Sequence, residues 1–413
     1  MRKRTAAAIA LAIGCCAAVR GQEPPPPPTA SGEVPVQAIA PVSPADAPGP
    51  LPLAPSAIAP PARAAPGAPA EKKGLDFIAA PIPISNPTIG TGLAAVAAIV
   101  FPLSKADQVS PPSTIGVGGF YTDNNSWALG AGGRLYFAED HWRLMGVFVK
   151  GDIHYNISAL DEPSGNSQIS IPIQQAVNGS ITEVLRRVSG VLFVGARYTH
   201  ANTTVNVDPA DQGSEAAPAP RDRQVVMAAL GLRAQTDSRD STFYPRRGTL
   251  FDLNADFYDP AFGGDRAYQS YKASVNKYIS VAERSVVGVR VSACDVRGDA
   301  PIYALCLFGR EGDLRGYEVG RYIDRTMWSA QAEYRWTLPE KLGFFGRFGL
   351  VGFAGVGEVA QSFGDLGSGD ILPGGGLGIR YLLSRANPIN FRIDYAWGKA
   401  GSRGIYVGVG EAF

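Results

Sequence analysis

From residue 75 onward the chain alternates apolar and polar side chains at a period of two, the signature of strands with one dry and one wet face. In Trp328-Ser329-Ala330-Gln331-Ala332-Glu333-Tyr334-Arg335-Trp336, one face is Trp, Ala, Ala, Tyr and Trp. The other is Ser, Gln, Glu and Arg. Phe251, Leu253, Ala255 and Phe257 alternate with Asp252, Asn254 and Asp256, and Phe391, Ile393, Tyr395 and Trp397 with Arg392, Asp394 and Ala396. A soluble sandwich alternates as well, but two features turn the dry face toward lipid. Trp328 and Trp336 lie about 26 Å apart along a strand, and strand tilt brings that near the height of an aromatic-girdled membrane band. The opposite faces carry charges that suit a wet lumen. No apolar run beyond the N-terminal region reaches the ~18 residues of a membrane helix. Closing the strands into a barrel also leaves no open edge. The expected fold is all-β, a transmembrane antiparallel barrel.

Sixteen segments fit the pattern, at 75–84, 88–102, 112–122, 126–137, 141–156, 170–187, 190–206, 223–237, 248–258, 266–280, 283–295, 324–338, 345–358, 371–384, 389–398 and 403–413. An even count puts both chain ends in the periplasm. Connections 157–169, 207–222, 296–323 and 359–370 then lie outside and are long, while turns such as Ser189-Gly190 and Ala282-Glu283 lie inside and are short. The inside connection from Thr236 to Gly248 is the long exception.

Residues 1–21 combine Arg2, Lys3 and Arg4 with an apolar run from Ala6 to Ala18, the pattern of a signal for export. Cleavage after Ala18 or Gly21 fits, and Gly14-Cys15 leaves lipidation open as a second reading. Residues 22–74 are Pro/Ala-rich and begin with five prolines in a row, Pro24 to Pro28, so they form a disordered tether: a plain spacer, or a partner-binding or wall-spanning one. Outside the signal the only cysteines are Cys294 and Cys306, close enough to pair in an exported chain. A net charge of +1 implies no nucleic-acid partner. His141, His154 and His200 sit on different segments without metal-ligand spacing, so no metal or cofactor is expected. Leu372-Pro373-Gly374-Gly375-Gly376 reads as a strand kink, since no helix follows to make it a phosphate loop.

Leu314-Arg315-Gly316-Tyr317 lies in the connection between segments eleven and twelve, the sixth outside loop. In a barrel, such a loop folded into the lumen can place its guanidinium against wall carboxylates, with glycine allowing a tight turn. At this point the sequence resembles the barrel of the BamA/TamA outer-membrane assembly superfamily, also called the bacterial surface antigen family. Leu314-Arg315-Gly316-Tyr317 matches the family's hydrophobic-Arg-Gly-aromatic motif. Asp237-Ser238-Arg239-Asp240 with Phe243-Tyr244-Pro245-Arg246-Arg247-Gly248 resembles its turn before strand nine. Phe391 to Ala396 followed by Phe413 looks like its C-terminal strand pair, with Phe413 in the place of the insertion signal. The resemblance covers residues 75–413 and implies that acids on strands twelve and thirteen hold the loop arginine. Glu333 matches the first. The second has Gly355 in its place, within Phe353-Ala354-Gly355-Val356-Gly357, which leaves Glu333 as the main partner. Residues 22–74 are too few and too proline-rich for a periplasmic POTRA domain, so the resemblance is to a short, POTRA-less branch.

The resemblance therefore implies a non-enzymatic, monomeric outer-membrane barrel that assembles or translocates protein or lipid through a seam between its first and last strands. Its partners would be outer-membrane lipid and either unfolded outer-membrane proteins or a periplasmic partner engaged through residues 22–74. A passive channel or structural barrel is the alternative. A membrane hydrolase would need a nucleophile near His154 or His200, and no motif supplies one.

Overall fold

The computed structural model describes residues 76–87, 89–104, 106–107, 109–160, 168–207, 223–241, 244–384 and 389–413. The signal, Cys15, the tether and Phe243 lie outside the described residues, as do most of the connections 157–169 and 207–222. The first eight strands are β1 (Asp76–Asn86), β2 (Gly90–Phe101), β3 (Ser113–Thr122), β4 (Trp127–Phe137), β5 (Trp142–Leu160), β6 (Gln168–Ser189), β7 (Leu192–Val207) and β8 (Arg223–Asp237). The second eight are β9 (Gly248–Tyr258), β10 (Tyr268–Ala282), β11 (Ser285–Gly298), β12 (Thr326–Thr337), β13 (Phe348–Ala360), β14 (Leu372–Ser384), β15 (Ile389–Gly398) and β16 (Arg403–Val409).

Each strand pairs antiparallel with its chain neighbours, and the sixteen close into one barrel. The closure is uneven. β1 pairs along its whole length with β2, but with β16 it registers at a single pair, Ser85 opposite Val407. All sixteen expected segments are present as strands, because a strict period of two can bury only one face of a sheet. On β12, Ser329, Gln331, Glu333 and Arg335 are buried while Tyr334 and Trp336 stand exposed. On β9, Asp252, Asn254 and Asp256 are buried while Leu253 and Phe257 are exposed. An outward apolar belt and an inward polar lining follow directly, the inverse of a water-soluble protein.

One expectation needs correction. The last strand ends at Val409, not at residue 413, because Gly410 takes a φ of 91° and turns the chain off the sheet. Phe413 consequently lies inside the barrel, its ring 6.4 Å from that of Tyr278 on β10. The glycine run on β14 keeps its pairing with β13 in register from Leu372 to Tyr381, and Leu314 and Phe353 take up the room at Gly374 and Gly376.

The connection from β11 to β12 does not project away from the barrel. Tyr303, Cys306, Phe308, Leu314 and Tyr317 pack with Met227 of β8, Tyr258 of β9, Tyr268 of β10 and Leu372 of β14 in the main apolar cluster. Cys306 and Leu307 pair with Ile323 and Asp324 in a two-residue ladder that makes this loop a folded unit. Its root is fixed by a disulfide between Cys294 of β11 and Cys306.

Candidate functional site

The site is where this loop, hereafter the lumen loop, meets the inner faces of β12 to β16. Arg315 is fully buried and makes two ion pairs, Nη2 with Glu333 Oε2 and Nη1 with Asp394 Oδ2, each at 2.6 Å. Its guanidinium carbon stands 3.6 Å from the centroid of the Phe353 ring, a stacked cation–π contact. The arginine is thus gripped by strands twelve, thirteen and fifteen: by carboxylates from β12 and β15, and by an aromatic face from β13.

Gly316 has a φ of 109°, and a Cβ there would lie 2.5 Å from the carbonyl oxygen of Trp397, so the turn accepts glycine and little else. Its N–H donates to the Tyr406 hydroxyl of β16 at 3.0 Å, and that hydroxyl donates to the Tyr317 carbonyl at 3.1 Å. The Tyr317 hydroxyl donates to the Pro373 carbonyl at 2.5 Å and accepts from the Lys399 N–H at 2.9 Å. Burial pushes the Tyr317 hydroxyl above its ordinary range; it also raises the Glu318 carboxyl, against the opposing pull of Arg321. Gln331 of β12 holds the preceding loop backbone, its Nε2 donating to the Gly312 and Asp313 carbonyls, both at 2.9 Å.

Gly355 explains why the second acid is elsewhere. A Cβ at this position would lie 2.4 Å from the Ala330 carbonyl oxygen and 2.7 Å from Leu314 Cδ1. Leu314 therefore occupies the room an acid on β13 would need, and Asp394 supplies the charge from two strands further on. Asp394 also binds Arg380 of β14 at 2.5 Å and Arg392 at 3.2 Å, and Arg392 in turn pairs with Glu311 of the loop. Sequence reasoning puts Asp394 on an inward face; only the barrel's curvature brings it to Arg315.

The turn between β8 and β9 forms a second cluster at the short-turn end. Asp237 accepts from the Arg239 guanidinium at 2.8 and 3.0 Å, and Asp240 Oδ1 accepts from the N–H groups of Arg246 and Arg247 at 2.9 and 3.1 Å. Gly248 has a φ of 104° where the chain re-enters the sheet. Pro245 is buried, and its carbonyl accepts from Arg335 Nη1 at 3.3 Å, which ties the turn to the residue beside Glu333. His154 and His200 lie apart on β5 and β7, while the His141 ring contacts the Ala138 carbonyl in the turn before β5.

Residues 129–413 match the Omp85 superfamily domain. The chain belongs to the Omp85 superfamily. It is accordingly a bacterial outer-membrane β-barrel of the BamA/TamA type. Among solved structures, the barrel is similar to BamA from Haemophilus ducreyi lacking POTRA domains 1–3, with a TM-score of 0.54 and 14% identity over 82% of this chain and 70% of that one. CdiB from Escherichia coli gives 0.53 and 12% over 80% of this chain, and CdiB from Acinetobacter baumannii gives 0.50 and 10% over 82%. The chain spans 62% and 60% of those CdiB chains, less than two thirds of either. At these identities the likeness is one of fold. No curated protein matches the chain.

Proposed function

We propose that this Omp85 barrel assembles or translocates outer-membrane proteins or lipid through the seam between β1 and β16, and that the Arg315 lock holds the lumen loop while the seam is shut. The observation that carries the reading is the unequal holding of β16. Toward β1 it registers at one pair, whereas from the lumen Tyr406 ties it to Gly316 and Tyr317. A strand so weakly joined along one edge can separate there, and the exposed edge can then pair with an incoming segment. The short turns would face the periplasm and the long connections the exterior, which puts the N-terminal end of β1 on the side where a client arrives.

A passive channel is the competing reading. The lumen loop counts against it, since Leu314, Arg315 and Tyr317 are buried where the loop packs against the inner wall. The test is a quantitative outer-membrane proteome after removal of the protein. Selective loss of particular barrels or secreted proteins is expected and would name the clients. An unchanged proteome would overturn the assembly reading and leave conductance and lipid asymmetry as the properties to measure.

A further inference from the structure

Beyond Gly410 the chain turns inward, and Glu411 is buried among charges that belong to other elements. Its carboxylate accepts from Arg380 Nε of β14 at 2.8 Å and from Asn390 Nδ2 of β15 at 2.7 Å, and lies 3.7 Å from Arg335 Nε of β12. Arg335 pairs with Glu333 at 2.5 Å, and Glu333 and Asp394 both pair with Arg315. Arg380 closes the figure by pairing with Asp394 at 2.5 Å. The result is a ring of strictly alternating charge: Arg315, Glu333, Arg335, Glu411, Arg380, Asp394. Every side chain in it is at most 4% exposed.

Such a ring differs from a set of separate pairs. Each member has opposite charges on both sides, so removing one leaves two buried partners short of a counter-charge. Glu411 is the only member that follows the last strand, and Arg315 the only one from the lumen loop. The tail is seated by more than charge. The Phe413 carbonyl accepts from Arg335 Nη2 at 3.0 Å, and its ring lies against Tyr278. Arg335 also holds the β8–β9 turn through Pro245, so the tail and that turn converge on one guanidinium.

We infer that residues 410–413 are an internal latch for the last strand, and that Glu411 makes the latch and the Arg315 lock open together. β16 is then held from the lumen at two levels, by Tyr406 on the loop motif and by Glu411 in the ring. For a strand that meets β1 at one registered pair, these inner ties decide whether its edge is free. The latch is a property of the barrel itself and does not depend on assembly activity. Only its consequence for the seam rests on the function proposed above.

The test is labelling of Ala412→Cys in the purified, folded barrel with a membrane-impermeant maleimide. The unsubstituted chain serves as background for its own cysteines, of which Cys294 and Cys306 are bonded to each other. Heat-modifiable migration selects folded material, and hydrogen exchange at the Glu411 and Ala412 amides of the unsubstituted tail replaces labelling where Ala412→Cys fails to fold. Labelling is expected to be slow in the parent and about tenfold faster or more with Glu411→Gln. It should accelerate similarly with Arg315→Met, although Arg315 does not touch the tail. Arg197→Met, which breaks a buried pair with Asp256 outside the ring, should leave labelling unchanged. Labelling of the parent at the rate of an exposed thiol would overturn the latch, and an unchanged rate with Arg315→Met would overturn the coupling. Both results are independent of the proteome experiment, so failure of one proposal leaves the other standing.

Discussion

Two arginines in this lumen have the same chemistry and different tasks. Arg233 of β8 pairs with Glu183 of β6 at 2.8 Å and Asp252 of β9 at 2.5 Å, and Arg315 pairs with Glu333 and Asp394. All are buried. The first cluster joins strands that the sheet already places: β8 is hydrogen-bonded to β9, and β6 lies one strand beyond β7. It satisfies charges that a wet face requires and fixes nothing that could be elsewhere. The second joins the lumen loop to the wall, and the barrel sheet's own hydrogen bonds do not place that loop. The difference teaches that a buried ion pair is a weak guide to stability but a good guide to conformation when one partner belongs to an element that the sheet does not place.

The largest separation of the two clusters is expected from Arg315→Met compared with Arg233→Met. Removing one partner of a buried pair costs about 3–5 kcal/mol, and both variants should lower the midpoint of heat-modifiable migration. Only Arg315→Met should also free the lumen loop, read as new protease cleavage between Gly309 and Arg321. Equal cleavage in both variants would erase the distinction.

Next in size is the disulfide. Closing a loop of 12-residue separation contributes about 3 kcal/mol through the unfolded chain. Cys294→Ala with Cys306→Ala should thus lower the unfolding midpoint while leaving Arg315 docked, with no added cleavage under native conditions. Cleavage as fast as in Arg315→Met would mean that the loop is held by its root and not by the lock.

Gly355→Ala sharpens the comparison from the wall side. Its methyl would press on Leu314 and the Ala330 carbonyl, at an overpacking cost of about 1–3 kcal/mol. By the same geometry, Gly355→Asp should not restore an Asp394→Asn variant, although it adds an acid to β13. Recovery of the parent's heat resistance in that double variant would refute the steric account of Gly355.

The smallest effect concerns Glu318. Burial raises its carboxyl in the docked loop, so docking is unperturbed below the ordinary carboxylate range and weakens as pH rises through the raised value. Loop cleavage at neutral pH should fall slightly with Glu318→Gln, and its rise with pH should flatten. A steeper pH dependence in Glu318→Gln would reverse the sign of this reading.

Much of the fold is legible because period two carries it. The inward placement of Ser329, Gln331, Glu333 and Arg335 follows from Trp328, Tyr334 and Trp336 needing the other face. What alternation cannot encode is which inward residues meet across a closed curve. Asp394 sits on the correct face of its strand, yet nothing local says that it reaches Arg315 rather than the lumen water. Gly355 reads as a missing acid because the sequence does not show Leu314 above it. Phe413 reads as the end of a strand because Gly410 permits a turn without demanding one. The legible part of the site is thus its local chemistry, and the hidden part is long-range closure.

The most direct test of the account is a double-mutant cycle between Arg315→Met and Asp394→Asn, with urea-unfolding free energies measured on the lipid-embedded barrel. A loop lock shared between β12 and β15 predicts strong non-additivity, about 1–3 kcal/mol of coupling between residues in one network. Additive effects within about 0.5 kcal/mol would show that Arg315 does not depend on Asp394, and would contradict the lock from which both proposals start.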